Sequence, residues 1–259
     1  MAQVINPEFA KAYRKRGDAF RDLGNYEAAV KNYVRASEFY PEYKEAYVSL
    51  GDAYHKLSKY EQAVDAYTKA ILLDPRDAEL YIHRAAIYGS LGNHAEEADD
   101  FSRAIQLDPD NISNYGKRGA VCMLLEKYEQ AIEDYTQLIT VKPRFYWAYV
   151  IRGDAYAALG RYEEAIRDYT TFIRVHPEYP DTFNNRGKAY GAIGDSEKAI
   201  SDFTRAITLS PEFAEAYANR GEMYERIGNH EKAVQDLRIA ARLGDPYAQS
   251  FLDSLSILW

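Results

Sequence analysis

Seven prolines fall on a strict 34-residue period: Pro7, Pro41, Pro75, Pro109, Pro143, Pro177 and Pro211, with Pro246 one residue late. A period of that length, kept without insertion or deletion, confines the chain to architectures in which one supersecondary unit is repeated and stacked. Placing these prolines at position 32 divides the chain into seven units: 10–43, 44–77, 78–111, 112–145, 146–179, 180–213 and 214–247. A lead-in of residues 1–9 precedes them, and a terminal segment spans 245–259.

In this register position 4 holds Tyr13, Tyr47, Tyr81, Tyr115, Tyr149, Phe183 and Tyr217, and position 11 holds Phe20, Tyr54, Tyr88, Cys122, Tyr156, Tyr190 and Tyr224. Position 8 is only Gly or Ala, from Gly17 to Gly221. Spacings of four and seven put these residues on one helical face, with a small row where a second helix can approach closely. That second helix carries mostly Ala at position 20, and position 24 runs Tyr33, Tyr67, Phe101, Tyr135, Tyr169, Phe203, Leu237. Glycine at position 15 (Gly24, Gly92, Gly160, Gly194, Gly228) suits the left-handed residue that ends a helix, and the proline ends the second helix. Nineteen of the 24 tyrosines sit at positions 4, 11, 17 and 24, so the tyrosine excess reads as repeat packing.

Two antiparallel helices per 34 residues, small at 8, 20 and 27 and aromatic at 4, 11 and 24, resemble the tetratricopeptide repeat family from about Ala10 to Tyr247. The resemblance implies an all-α fold, a right-handed superhelical solenoid of seven helix-turn-helix repeats plus a C-terminal capping helix, with first helices lining a concave groove. Asp245-Pro246 followed by Ala248, Phe251, Leu252 and Leu255 fits the cap. Ile257, Leu258 and Trp259 make that end apolar, either as cap packing or as a contact surface for a partner or a second copy.

Position 7 is Arg16, Arg84, Arg118, Arg152, Arg186 and Arg220, with Leu50 in the second repeat; position 23 is Asp in the last five repeats, Asn32 in the first and Ala66 in the second. The repeat without the arginine also lacks a polar partner. Folding two helices about position 15 brings 7 and 23 to one height, which predicts a structural Arg–Asp pair within each repeat from the third onward. Glu97 at position 20, where helices meet closely, predicts either a bond to Arg84 or Arg118 or a local opening of the helix pair.

Nothing in the sequence carries catalysis. There is no phosphate-cradling loop, nucleophile elbow, His-Glu-x-x-His helix or paired CxxC, so the chain reads as a non-enzyme with no cofactor and no metal. Cys122 takes an aromatic's place at position 11 and reads as core; His55 and His83 could approach each other across the groove but lack a carboxylate. A net charge of −8 argues against a nucleic-acid partner. No apolar run approaches the ~20 residues of a membrane span, and no basic-then-apolar leader opens the chain. One cysteine and no disulfide favour the cytoplasm, with the periplasm after removal of an export signal as the alternative.

The resemblance places ligands on first-helix positions 2, 5, 6, 9, 12 and 13. These are basic with two acids in the first repeat (Lys11, Arg14, Lys15, Asp18, Arg21, Asp22), and apolar or small in the middle: Ile82, Ala86, Gly116, Ala120, Met123, Trp147 and Val150. Asn184, Asn185 and Asn219 follow, able to pair with a peptide main chain, and Glu215, Glu222 and Glu225 make the far end acidic. Arg14, Asp18, Val48 and Asp52 at positions 5 and 9 depart from the Lys/Asn pattern that clamps a terminal carboxylate. The reading is a protein-interaction module that holds a peptide segment of a partner as an adaptor, scaffold or assembly factor. The alternative is a homo-oligomer formed through the tail or the groove.

Overall fold

A computed structural model of the chain describes residues 5–254, and every described element is an α-helix. The packing separates into two compact units that divide after Lys127. The first contains α1 (Pro7–Asp22), α2 (Tyr26–Phe39), α3 (Lys44–Lys56), α4 (Tyr60–Leu73), α5 (Ala78–Leu91), α6 (His94–Leu107) and α7 (Ile112–Leu124). The second contains α8 (Tyr128–Val141), α9 (Trp147–Ala158), α10 (Tyr162–Ile173), α11 (Pro180–Ala192), α12 (Ser196–Leu209), α13 (Ala214–Arg226), α14 (His230–Arg242) and α15 (Pro246–Ser254). Odd-numbered helices up to α13 are the first helices of the seven repeats, and even-numbered ones the second.

Helix ends follow from local chemistry. Residues 7–9, assigned by sequence to a lead-in, belong to α1, because Asn6 caps it by accepting from the Phe9 N–H and Pro7 stands at its first turn. Gly24, Gly92, Gly160, Gly194 and Gly228 all take positive φ between +73° and +85° after their first helices. Ser58 and Glu126 occupy the same turn in the second and fourth repeats at φ 55° and 56°, a conformation that strains a residue with a Cβ.

The close approach of the two helices of a repeat has one origin. The ring at position 24 lies flat over position 8, so that a Cβ on Gly153 would stand 2.8 Å from the Tyr169 ring and one on Gly51 would stand 2.7 Å from Tyr67. Tyr33, Tyr67, Tyr169 and Phe203 are accordingly among the largest fully buried side chains.

The Arg–Asp pair forms wherever both partners lie in one unit. Arg84, Arg152, Arg186 and Arg220 each donate through Nε and Nη2 to both carboxylate oxygens of Asp100, Asp168, Asp202 and Asp236 at 2.7–2.9 Å. Arg16 uses Asn32 Oδ1 at 2.5 Å. In the four bidentate pairs the guanidinium lies between the rings at positions 4 and 11, as Arg152 does 5.7 and 5.8 Å from the Tyr149 and Tyr156 centroids. Its free Nη1 reaches back to a hydroxyl of the preceding repeat: Thr68, Thr136, Thr170 and Thr204 accept at 2.9–3.0 Å. Intra-repeat pairs therefore also tie adjacent repeats together.

Asp245 caps α15 by accepting from the Ala248 N–H at 2.8 Å, and Ala248 and Leu252 close over Leu237, Ala240 and Ala241. Leu255 and the apolar Ile257–Trp259 lie outside the described residues.

Candidate functional site

The first-helix surface is organised by position 9, the residue that directly follows the ring-covered position 8. In three repeats an aspartate there accepts from the tyrosine hydroxyl at position 24: Tyr33 to Asp18 at 2.9 Å, Tyr67 to Asp52 at 2.5 Å and Tyr169 to Asp154 at 2.7 Å. Burial, joined by the neighbouring carboxylate, pushes all three phenols well above the usual tyrosine range, so they are fixed as donors. Where position 9 is Ala86, Lys188 or Glu222, position 24 is Phe101, Phe203 or Leu237, whereas the fourth repeat keeps Tyr135 with Ala120. The sequence carries this signal in a looser form than the Arg–Asp pair.

In the first unit, Ala86 and Ala120 leave the Phe101 ring open at the base of a cavity of about 570 Å³. Gly89 and Leu124 complete its apolar wall; Leu124 is 67% exposed. Lys117 reaches over Phe101, its Nζ 5.8 Å from the centroid. Glu97 enters from α6, its carboxylate filling the space a Cβ on Gly89 would need. Its partner is the His94 ring, Nδ1 to Oε2 3.0 Å, rather than either of the arginines expected from sequence. Arg84 is committed to Asp100 and Thr68, and the missing side chain of Gly89 admits the carboxylate while α5 and α6 stay packed.

In the second unit a cleft of about 440 Å³ is lined by Asp154, Tyr162, Tyr169, Asn185, Lys188 and three alanines. Asp154 Oδ1 accepts from both Tyr169 and, at 3.2 Å, Asn185 Nδ2. Burial raises the Asp154 carboxyl above the usual aspartate range, with those two hydrogen bonds opposing the shift. Lys188 turns away to Glu215 at 2.9 Å.

Of the residues expected to meet a ligand, Ala86, Ala120 and Asn185 line these cavities, and Trp147 is 45% exposed. Trp147 stands in an aromatic group instead, its ring 4.8 Å from Phe172 and 5.0 Å from Tyr179. Ile82, Gly116 and Met123 are half-buried and line neither cavity. Two expectations need correction. Val150 is 8% exposed and packs with Ala165, Tyr169 and Phe172; Asn184 is 1% exposed and accepts from Asn219 Nδ2 at 3.0 Å. Both occupy position 5, which in this unit turns into the packing between helices, and Asn219 is thereby engaged by Asn184. His83 stacks on Tyr67 with centroids 5.5 Å apart, and His55 lies tilted against Tyr60 at 6.0 Å, so each imidazole contacts a ring of its own.

The charged ends are internally matched. Arg14 and Arg21 approach Asp18 at 3.8 and 3.3 Å, Lys11 meets Glu8, Glu222 meets Arg226 and Glu225 meets His230. A basic-to-acidic gradient for steering a ligand is correspondingly weakened. No helix among the described residues is long and apolar enough to cross a membrane.

Helix hairpins repeated at 34 residues and locked by the same ring, glycine and guanidinium contacts define a helical-repeat protein. Family models described as TPR repeat match residues 17–58, 51–92 and 153–194, and models described as tetratricopeptide repeat match 78–111, 112–145 and 184–248. The chain belongs to the tetratricopeptide repeat family. No curated relative matches it. Among solved structures it is similar to a tetratricopeptide repeat protein from Parabacteroides merdae (20% identity, 95% of this chain and 98% of that one, TM-score 0.58). It is also similar to the C-terminal part of a repeat protein from Cytophaga hutchinsonii (16%, 91% and 98%, TM-score 0.67) and to YrrB, described as a TPR protein with an unusual peptide-binding site (23%, 71% and 95%, TM-score 0.63). At these identities the likeness concerns the fold.

Proposed function

We propose that the chain is a non-catalytic interaction module that holds a peptide segment of a partner protein on its first-helix surfaces, as an adaptor or scaffold in the cytoplasm. The observation that carries this reading is the open Phe101 cavity. An apolar, partly exposed concavity with a few polar groups at its rim is the form a ligand site takes, and here it exists because the Asp–Tyr pair of other repeats is replaced by Ala86 and Phe101. Membership of a family of interaction repeats supports it, as does the peptide-binding site for which YrrB is described.

The test is a crosslinking pull-down from the native source with the wild-type chain and with Ala120→Arg. Ala120 is exposed on α7, so a long charged side chain there fills the cavity without entering the core. Loss of a captured protein with an unchanged circular dichroism melt is the expected result, and undiminished capture would remove this cavity from consideration.

A further inference from the structure

We propose that the Asp154 cleft is a subsite for one cationic side chain, arginine or lysine, of a bound peptide. This rests on the peptide-binding reading and names the chemistry of the partner at one point. The strongest argument is internal. In the first repeat the aspartate at position 9, Asp18, is held by Tyr33 in the same way, and Arg21 at position 12 lays its guanidinium against it, Nη1 to Oδ1 3.3 Å, with Arg14 from position 5 on the other oxygen. In the fifth repeat the tethered aspartate is retained, but position 12 is Ala157 and position 5 is Val150. Ala157 lines the cleft, so the space that an arginine side chain fills in the first repeat is open in the fifth.

The electrostatics agree. Tyr169 and Asn185 both donate to Oδ1, which orients the carboxylate, and no described residue donates to Oδ2. The cation nearest at hand, Lys188, is bound to Glu215. The two hydrogen-bond donors to this half-buried carboxylate are both neutral, and Lys188 acts on it only through space while bound to Glu215, so the carboxylate gains when a cation arrives at Oδ2. Ala157, Ala189 and Ala192 offer bare walls to a methylene stem. Arginine suits the site better than lysine, because a guanidinium sheds water more readily and donates along a plane. The net charge of −8 favours the approach of a basic segment.

The experiment is a nuclear magnetic resonance titration of the full 15N-labelled chain with N-acetyl-arginine N-methylamide, its lysine counterpart and the neutral isostere N-acetyl-citrulline N-methylamide. The arginine probe is expected to give saturable shifts of the Asn185 side-chain amide and the Ala157 backbone amide, and citrulline at least tenfold weaker ones. Asp154→Asn keeps the oxygen that Tyr169 and Asn185 need and removes the charge; it should weaken arginine binding at least tenfold. Ala157→Arg, which copies the first repeat, should abolish binding by filling the cleft from within. Equal response to citrulline, or unchanged arginine binding in both variants, overturns the proposal. A chain that captures a partner peptide yet fails to discriminate charge here retains the peptide-binding reading and loses this subsite. One that binds the arginine probe but captures no partner does the reverse.

Discussion

The second and fifth repeats solve one packing problem with opposite chemistry. In the fifth, Thr136, Arg152 and Asp168 form a hydrogen-bonded chain from one repeat into the next, the guanidinium held between Tyr149 and Tyr156. In the second, the same three places hold Val34, Leu50 and Ala66, which meet in one apolar cluster with Leu50 8% and Ala66 2% exposed. Both repeats keep the hairpin and the ring over glycine. The polar triad is thus one of two self-consistent fillings; what neither tolerates is a mixture, since a buried guanidinium without its carboxylate is far costlier than a well-packed leucine.

That claim breaks first at Asp168→Ala. Arg152, with a side chain 15% exposed, would keep its charge and lose two hydrogen bonds; the expected loss is about 3 kcal/mol by urea denaturation, and a loss below about 1 kcal/mol would show the pair to be ornamental. Leu50→Arg alone should cost a similar ~3 kcal/mol, because Ala66 and Val34 offer its guanidinium nothing. The triple change Val34→Thr, Leu50→Arg and Ala66→Asp should recover all but about 1 kcal/mol of that, and the reverse triple at Thr136, Arg152 and Asp168 should fall within about 1.5 kcal/mol of wild type. If the triples are as unstable as the singles, the fillings are not interchangeable.

What could be read in advance was whatever the seven repeats varied among themselves. The Arg–Asp pair was legible because Leu50 and Ala66 changed together. The hydroxyl that completes the triad showed the same signal, Thr or Ser giving way to Val34 one repeat before Leu50, but it asks for a pairing between repeats, and spacing within one hairpin does not suggest it. The tethering of Asp154 by Tyr169 was legible too and was hidden by treating tyrosines solely as packing. Val150 and Asn184 were misjudged for a geometric reason. A helical position lies on the edge of a face as often as at its centre, and whether position 5 looks outward depends on the bulk beneath it, here Tyr169 and Phe172. Glu97 shows the limit of charge reasoning: a glycine across the hairpin makes room that no ion-pair rule anticipates.

The second repeat differs also at its turn. Ser58 holds at φ 55° the conformation that five other repeats assign to glycine. Ser58→Gly removes the Cβ strain and should stabilise the chain by about 1 kcal/mol in thermal or chemical unfolding. The same exchange in reverse, Gly160→Ser in the fifth repeat, should cost about as much. A Ser58→Gly variant that is less stable than wild type would mean that loss of backbone freedom outweighs the strain, and the turn would then not separate the two repeats.

The smallest effect concerns Asp154 of the fifth repeat, which like Asp52 of the second accepts from the tyrosine of its own repeat. Its carboxyl is raised above the usual aspartate range by burial, so the folded chain binds the proton more tightly than the unfolded one, whose aspartate titrates near about 3.9. The sign follows: between those two values the folded state holds more protons, stability from this group falls as pH rises through the window, and the penalty is complete at neutral pH. Tyr162 and Tyr169 on α10 and Lys188 and Asn185 on α11 face the same cleft; the Tyr169 phenol, raised by burial, stays protonated, and Lys188 lies on Glu215, whose own carboxyl is held below the usual glutamate range. Asp154→Asn should therefore be more stable than wild type at pH 7 by about 0.5 kcal/mol, with the advantage shrinking toward pH 4, and an advantage that grows on acidification would show that the carboxylate has a cation already.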